Sequence, residues 1–254
     1  HRTGILQRFA GCFSDHRDSR RIEHSVLSLV SQRVIGLSLG YEDLNDHDHL
    51  ASDKMLAIAV GKSDPDGLSR KSIADRGKAL AGKSTLNRLE LTPVDADAKS
   101  PYKKIALNTE AVDNLLVDIF LESQTEPPEE IILDVDATDD PLHGNQEGKF
   151  FHGYYKAYCY LPLYIFCGEH LLCARLRTAN NDGAAGTVEE VERIVERIRL
   201  VYPDSRIIVR GDSGFCREDI MVWCEDHDVH FLIGVAKNNR LAGEIAEELA
   251  LAKA

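Results

Sequence analysis

The sequence predicts an α/β fold in which a mixed sheet with flanking helices follows a mainly helical N-terminal region. Three observations predict it: apolar residues at helical spacing in the first half, a polar segment with two prolines at residues 125–130, and an order of strand, strand, strand, helix, strand, helix, strand after that segment. With 254 residues, 43% of them hydrophobic, the chain can bury a sizeable core.

The helical region is predicted from two apolar stripes. Their members are Ile22, Val26, Leu29, Val30, Val34 and Leu37 in the first stripe, and Val112, Leu115, Leu116, Ile119 and Phe120 in the second. Asn108, Thr109 and Glu110 give the second helix a plausible start. We place the domain boundary in the proline-containing segment, so that residues 1–125 form the helical region and residues 126–254 form the second domain.

The second domain opens with strands and continues with crossover helices. The predicted elements are a strand at 131–136, a polar connection at 139–153, a hairpin of strands at 157–166 and 171–176, a helix from 187 to 202, a strand at 207–209, a short helix around 220–223 and a strand at 229–235. Thr187 and Glu190 have the spacing of a capping box, and Pro203 ends the helix. This order matches the ribonuclease H-like fold.

Two aspartates close strands in this arrangement. Asp136 ends the first strand, and Asp212 ends the strand after the long helix. If the two strands are neighbours, their carboxylates project at the same end of the sheet, where open α/β sheets place their sites. Carboxylate pairs suit Mg²⁺ or Mn²⁺, and such ions promote phosphodiester cleavage. The alternative is that both residues only start turns, which is a common role for Asp.

Several segments resemble the DDE transposases of bacterial insertion sequences, in the group named DDE domain group 1. The matching stretches are LDVDATDDPLHG at 133–144, FHGYY at 151–155, CYLPL at 159–163, RGDSGF at 210–215, GYEDLNDH at 40–47 and LNRLE at 86–90. The likeness covers nearly the whole chain and implies a ribonuclease H-like catalytic core.

The resemblance implies that Asp136 and Asp212 are the first and second catalytic acids and hold Mg²⁺ or Mn²⁺. The third acid of the family is a glutamate on a helix after the last strand, usually beyond an inserted segment. Glu244, Glu247 and Glu248 follow the last strand too closely, so none is assigned. We therefore expect a chain truncated at both ends, with its third acid beyond residue 254, that is catalytically incomplete as a fragment.

Two further residues are candidates for secondary roles at this site. Asp134 precedes Asp136 by two residues and shares its face of a regular strand, so it is either a secondary ligand or a structural residue. His152 is either a residue lining the cleft near the scissile phosphate or an ordinary packed histidine. The sequence leaves both pairs of alternatives open.

Family membership implies cleavage of DNA at transposon ends and attack of the freed 3′-hydroxyl on target DNA. The implied partners are double-stranded DNA, at terminal inverted repeats and at the target, and further copies of the chain in a synaptic complex. Lys78, Lys83 and Arg88 are candidates for phosphate contacts, although a plain solvated surface is an equal alternative. The net charge of −12 argues only mildly against DNA, because phosphate contacts need only a local basic face.

Two rival functions remain. One is a remnant that binds DNA or the intact transposase without cutting. The other is a nucleotide hydrolase, because GKALAGKS at 77–84 fits the Walker A pattern. That mechanism needs a buried strand directly before the first glycine, and residues 69–76 are polar.

Composition also bears on location. The sequence has neither an apolar run of about 20 residues nor a leader pattern, so we expect a soluble cytoplasmic protein, bacterial and associated with the nucleoid. The six cysteines form no C-x-x-C pair, which favours free thiols in a reducing compartment.

Overall fold

The computed structural model describes residues 4–236 and 238–253. The chain divides into two compact units, His1–Leu115 and Leu116–Ala254. The two units meet inside a helix rather than at the proline-containing segment 125–130, where the sequence places the boundary. The predicted boundary stays a prediction, because a break in the sequence pattern and a change in packing need not fall at the same residue. No helix in the described part of the chain is long and apolar enough to cross a membrane.

The first unit is mainly helical, as predicted. Its helices are α1 (Ile5–Gly11), α2 (Val26–Ser38), α3 (Asp46–Leu50), α4 (Lys54–Ala59), α5 (Lys83–Glu90) and the start of α6 (Thr109–Ser123). Two short strands, β1 (Phe13–Asp15) and β2 (Ile105–Leu107), pair in antiparallel fashion. The predicted start of α6 is confirmed, because the Asn108 side chain accepts a hydrogen bond from the backbone N–H of Ala111 at 3.0 Å.

The predicted apolar stripe of α2 is only partly correct. The helix begins after Ser25, whose hydroxyl accepts a hydrogen bond from the Ser28 N–H, so Ile22 lies outside it. Val34 and Leu37 are exposed, whereas Gln32 is fully buried. The Gln32 amide exchanges two hydrogen bonds with the backbone of Ala81, at 2.7 and 2.9 Å, and these satisfy its polar atoms. The buried face of α2 thus includes a polar residue with satisfied hydrogen bonds, which the apolar pattern does not predict.

His24 is a second buried polar residue of this unit. Burial lowers the pKa of its imidazole from 6.5 to about 4, and the positive charges of Lys62 and Arg70 act in the same direction. The Lys62 ammonium lies 3.1 Å from the His24 Nδ1 atom. The folded chain therefore holds this ring in its neutral form, in a setting that disfavours a proton.

Acidification should destabilise the first unit through His24. Because the folded pKa lies below the ordinary value, stability is present above pH 6.5 and is lost as the pH falls toward 4. The loss at pH 5 should be about 2 kcal/mol. We expect His24→Gln to reduce the fall in thermal unfolding midpoint between pH 7 and pH 5. His49→Gln, at an exposed position, is the control, and an equal effect of both substitutions would contradict the prediction.

The second unit contains the larger sheet. Its elements are β3 (Glu130–Ala137), β4 (Asp140–Pro141), β5 (Phe150–His152), β6 (Ala157–Tyr160), β7 (Leu163–Cys167), β8 (His170–Arg175), α7 (Thr187–Val201), β9 (Arg206–Gly211), α8 (Glu218–Asp226), β10 (His230–Ile233), α9 (Asn239–Glu244) and α10 (Ala246–Lys253). Within the described residues, the order of the five-stranded sheet is β10-β9-β3-β7-β8. β10, β9 and β3 run parallel, and β7 and β8 follow in antiparallel pairing. This is the topology of the ribonuclease H-like fold, as predicted.

One buried cluster joins the sheet to its helices. Its strand residues alternate along β3, where Ile131, Leu133 and Val135 are buried. The helical members of the cluster come from the second half of α6, from α7 and from α8: Val117, Phe120, Leu121, Val191, Ile194, Val195, Ile198, Ile220 and Cys224. The opposite set of β3 residues, at 132, 134 and 136, is less buried. The packed face of the sheet therefore leaves Asp136 on the more open side.

The predicted strand at 157–166 is wrong in one respect: it is two strands. β6 pairs with β4 and β5 in a small sheet, whereas β7 belongs to the large one. Leu161 and Pro162 separate them, since proline has no N–H to donate and the Leu161 N–H bonds to the Arg177 carbonyl instead. The predicted polar connection at 139–153 likewise contains β4 and β5.

The predicted capping box of α7 is also wrong. The residue before the helix is Gly186, in a left-handed conformation, and no side chain caps it. The Thr187 hydroxyl is buried without a hydrogen-bond partner among the described residues. Glu190 accepts a hydrogen bond from Arg175 at 2.9 Å and pairs with Arg193 at 3.1 Å. The carboxylate of Glu190 thus serves ion pairs rather than the backbone of the first turn.

Candidate functional site

The two sequence-predicted acids lie at neighbouring positions in the structure. β3 and β9 pair in parallel with Val135 opposite Gly211, so the next residues along the two chains are Asp136 and Asp212. Asp212 keeps an extended backbone, with φ −77° and ψ −174°. Because neighbouring strands are about 4.8 Å apart, the two aspartates end adjacent strands side by side. Both residues are exposed.

The two carboxylates also share a face of the sheet. Asp134 and Arg210 are register partners two residues earlier, and they form an ion pair, with the Arg210 Nη2 atom 2.8 Å from the Asp134 Oδ2 atom. This contact shows that the side chains at this register position point the same way. Strand side chains alternate between faces, so Asp136 and Asp212 point to the same face as that pair.

Asp134 therefore occupies a definite position next to the candidate site. Its two carboxylate oxygens accept hydrogen bonds from two nitrogens of the Arg210 guanidinium. A carboxylate engaged in this bidentate way has fewer lone pairs left for a metal ion. The geometry supports the structural alternative for Asp134, which stays a prediction.

Close packing fixes the backbone around Asp212. A Cβ atom added to Gly211 would lie 2.8 Å from the Val135 Cγ2 atom and 3.1 Å from the Phe215 Cβ atom. On the other side, the Gly234 N–H donates to the Gly211 carbonyl at 3.0 Å. The Asp212 Oδ1 atom accepts a hydrogen bond from the Gly214 N–H at 2.7 Å, which orients the carboxylate.

Tyr155 lies beside the acids, a position that the sequence pattern does not predict. Burial raises the pKa of its hydroxyl, and the nearby charges of Asp139, Asp136 and Asp212 add to this effect. The hydroxyl donates a hydrogen bond to the Ala137 carbonyl, at 3.4 Å, at the end of β3. The position of this tyrosine within FHGYY, a matched stretch rich in aromatic residues, is the signal that could have drawn attention to it.

His152 joins the same group of side chains through Tyr155. The two ring centroids are 4.9 Å apart, and the His152 Nδ1 atom accepts a long hydrogen bond, 3.5 Å, from the Tyr155 N–H. In the neutral ring this contact leaves Nε2 as the nitrogen that carries a proton. The structure thus places His152 near the candidate acids, and its role stays a prediction.

The donor set fits a hard divalent cation that is completed by substrate. Asp136 and Asp212 offer carboxylate oxygens, and Mg²⁺ in proteins takes one or two carboxylates together with waters and substrate phosphates. Across residues 4–236 and 238–253, no group of three His, Cys, Asp or Glu side chains is placed to hold a metal ion. Glu244, which follows the last strand, pairs with Arg240 at 3.0 Å.

The Walker A-like segment lacks the surroundings of a nucleotide site. Helix α5 begins at Lys83, but residues 69–76 contain a 3₁₀ turn at Ile73–Asp75 and no strand. The Asp48 carboxylate accepts a hydrogen bond from the Lys83 N–H at 3.0 Å and lies 3.3 Å from the Lys83 ammonium. The Asp48 carboxylate therefore occupies the position at the start of α5 where a nucleotide-binding loop would hold a phosphate.

Lys83 and Arg88 line one groove of the first unit, with a volume of about 530 Å³. The other lining residues are Leu44, Asn45, Ser84, Asn87, Tyr102 and Lys103. Among the described residues, no acidic side chain lines it and neither Arg88 nor Lys103 has an ion-pair partner for its charged group. Lys78 lines a neighbouring groove instead. The chain thus carries a local basic surface despite its net charge of −12.

The strand order assigns the second unit to the ribonuclease H-like class, with two acids at the carboxyl ends of its central parallel strands. The model of the transposase DDE domain group 1 family matches residues 1–254, and the chain belongs to this family. The prediction of the family from the quoted motifs is confirmed.

Among solved structures, the chain is similar to a piggyBac transposase in a synaptic complex with hairpin DNA. The identity is 12% and the TM-score is 0.42, with 95% of this chain and 50% of that chain covered. The chain thus spans half the length of the transposase chain that it matches. The fold assignment rests on the strand order and not on this distant likeness. A comparison with curated protein sequences gives no match.

Gly211→Ala should disturb the site through packing. The added methyl group would meet Val135 at 2.8 Å, so β3 and β9 must separate or the turn at Asp212 must shift. We expect a loss of about 1–3 kcal/mol in the free energy of unfolding, measured by denaturant titration. Gly153→Ala is the matched control, because a Cβ atom there would meet nothing within 4 Å. A Gly211→Ala protein as stable as this control would contradict the described packing.

Proposed function

We propose that the chain supplies the first two acids of a transposase that cleaves DNA at transposon ends and joins them to target DNA. The single observation that carries the proposal is the register of β3 and β9. It puts Asp136 and Asp212 side by side on one face of the sheet, in a chain of the DDE family. The motifs further suggest a bacterial insertion sequence, acting on nucleoid DNA in the cytoplasm.

In this proposal Asp136 and Asp212 hold Mg²⁺ or Mn²⁺ against the scissile phosphate. DDE transposase domains generally use divalent metal ions. When bound, such an ion supplies an activated water and charge stabilisation for the leaving oxygen. The Gly214 N–H keeps the Asp212 carboxylate oriented before substrate arrives. Asp134 serves to hold Arg210, and the His152 Nε2–H is available to donate to a phosphate oxygen.

The first unit binds DNA in this proposal. The groove that contains Lys83 and Arg88 has the charge for phosphate contacts. Lys78 is a further candidate in the neighbouring groove, which Asp48 and Asp75 also line. The partners are duplex DNA, at the terminal inverted repeats and the target, and further copies of the chain in a synaptic complex. Affinity from such contacts is electrostatic and independent of base sequence.

A second candidate function is DNA binding without cleavage. It is favoured by one observation: in the described part of the chain, no third metal-binding side chain accompanies the two aspartates. A two-carboxylate site would then hold a cation too weakly to act, and the chain would serve as a remnant that binds DNA or an intact transposase.

Substitution of either acid should remove cleavage. We expect Asp136→Ala and Asp212→Ala to lower nicking of duplex DNA in Mn²⁺ by at least about two orders of magnitude, because each removes a metal-holding carboxylate. The measurement is conversion of supercoiled plasmid to open circles. Asp134→Asn should keep most of the activity if this residue only holds Arg210.

Asp204→Ala is the matched control, since Asp204 is an exposed acid at the opposite end of β9. If the unsubstituted chain nicks DNA and both Asp136→Ala and Asp212→Ala keep that activity, the assignment of the acids is refuted. DNA binding without any nicking by the unsubstituted chain would favour the second candidate function.

The basic groove should contribute to DNA affinity in a salt-dependent way. We expect Lys83→Gln and Arg88→Gln each to weaken binding of a generic duplex and to reduce the slope of log K against log salt by about 0.9 per lost phosphate contact. Fluorescence anisotropy over a salt series gives the slope. Lys54→Gln is the control, because Lys54 is exposed and pairs with an acid, Asp66, as Lys83 does with Asp48, but it lies outside this groove. Unchanged slopes for both groove variants would exclude the groove as a DNA contact.

A further inference from the structure

A group of aromatic side chains beside the candidate acids is unusually exposed. Residues 150–158, which we term the aromatic arm, comprise β5, a turn and the first residues of β6. The exposed fraction is 42% for Phe150, 57% for Phe151, 83% for Tyr154 and 53% for Tyr158. Water contact of this extent is unfavourable for large aromatic surfaces, so several exposed rings within one short segment mark an interaction site.

The arm is an ordered structure with its rings already arranged. Phe151 and Tyr158 are cross-strand partners, and their ring centroids are 5.5 Å apart in an edge-to-face arrangement. Tyr154 meets Tyr155 in the same geometry at 5.0 Å. Aromatic pairs favour this geometry, and Phe151, Tyr154 and Tyr158 keep more than half of their surface in contact with solvent. The arm therefore presents ring faces to a partner without first having to order itself.

The arm contacts β3 next to the candidate acids. The Tyr155 hydroxyl bonds to the Ala137 carbonyl, next to Asp136, and the charges of Asp136 and Asp212 act on that same hydroxyl. Tyr154 directly precedes Tyr155 and is the most exposed ring of the arm. A phosphodiester held at the two acids would place its neighbouring nucleotides within the reach of these rings.

The chemistry around the arm favours nucleotides over a protein partner. The Lys149 ammonium lies 5.5 Å from the centroid of the Tyr158 ring, and Lys156 is exposed in the turn. Cations interleaved with aromatic faces suit a strand that alternates phosphates and bases. Base faces are covered by neighbours in an intact duplex, so stacking on the arm requires bases that are unpaired or turned out of the helix.

We propose that the aromatic arm binds unpaired bases of the DNA strand next to the scissile phosphate, with Tyr154 as the principal stacking ring. This inference rests on the proposed function, because it assumes that DNA is held at Asp136 and Asp212. The arm then acts as a positioning element: stacking keeps the opened strand from re-pairing and holds its phosphate at the acids.

The test compares two short duplexes of the same sequence, one fully paired and one with an unpaired flank that contains 2-aminopurine. Binding is measured by competition in Ca²⁺, a hard divalent cation that carboxylate oxygens bind, so that the two acids can hold the phosphate. The unsubstituted chain should prefer the flanked duplex and quench the 2-aminopurine fluorescence by stacking. Tyr154→Ala should lower affinity for the flanked duplex roughly tenfold and abolish the quenching, and should leave affinity for the paired duplex unchanged.

Tyr154→Phe keeps a ring and should behave like the unsubstituted chain. Tyr41→Ala removes an exposed ring of the first unit and should change neither affinity. Because the Tyr154 ring is 83% exposed, its truncation leaves the core intact, and equal unfolding midpoints confirm this. Equal affinity of the unsubstituted chain for both duplexes would overturn the proposal. So would a change of oligomeric state in Tyr154→Ala at the same concentration, because the arm would then contact a second copy.

Nicking in Mn²⁺, measured on the same proteins, separates this inference from the proposed function. Nicking that depends on Asp136 without any preference for the flanked duplex would refute the arm and leave the nuclease. Preference for the flanked duplex without nicking would refute the nuclease and leave an arm that binds unpaired DNA.

Discussion

The parallel pairing of β3 with β9 is the constraint on which the candidate site depends. The two acids are 76 residues apart in the chain, and no local interaction brings them together. Register does so, because Val135 opposite Gly211 leaves Asp136 beside Asp212. A slip by one residue would send one carboxylate to the opposite face, where the helices pack. The buried alternation of β3 and the Asp134–Arg210 ion pair both hold the register that the acids need.

The same pairing explains why the turn after β9 is rich in glycine. Gly211 lies so close to Val135 that a side chain cannot be accommodated, and the backbone beyond β10 approaches Asp212 through Gly234. Small residues let three strand ends converge, and the Gly214 N–H then orients the carboxylate. The glycines of the RGDSGF stretch are therefore required for packing. They fix the position of Asp212, which supplies the negative charge.

Much of the fold could be predicted from the sequence, since apolar periodicity reports which residues a sheet or helix buries. The central strands, α7 and α8 follow this rule, as do the positions of Asp136 and Asp212 at strand ends. What failed were features set by tertiary contacts. Gln32 is buried because Ala81 satisfies its amide, and Glu190 serves two arginines rather than a helix end. Tyr155 acquired a place at the acids only through the small sheet that the sequence did not reveal.

The net charge of the chain does not show that acidic and basic groups lie on different surfaces. In the proposed function, the acids at the end of the large sheet repel a polyanion unless a cation stands between them, so that DNA and metal ion bind as mutually dependent ligands. In the proposed function, DNA affinity therefore comes from other surfaces: phosphate contacts at Arg88 and Lys103 in the groove of the first unit, and stacking at Tyr154 in the aromatic arm. In that proposal, electrostatic contacts bind any duplex, whereas stacking distinguishes a strand that has opened. A proposed metal site with only two carboxylates gains most from such contacts, because each one would hold in place the phosphate that completes the coordination of the ion.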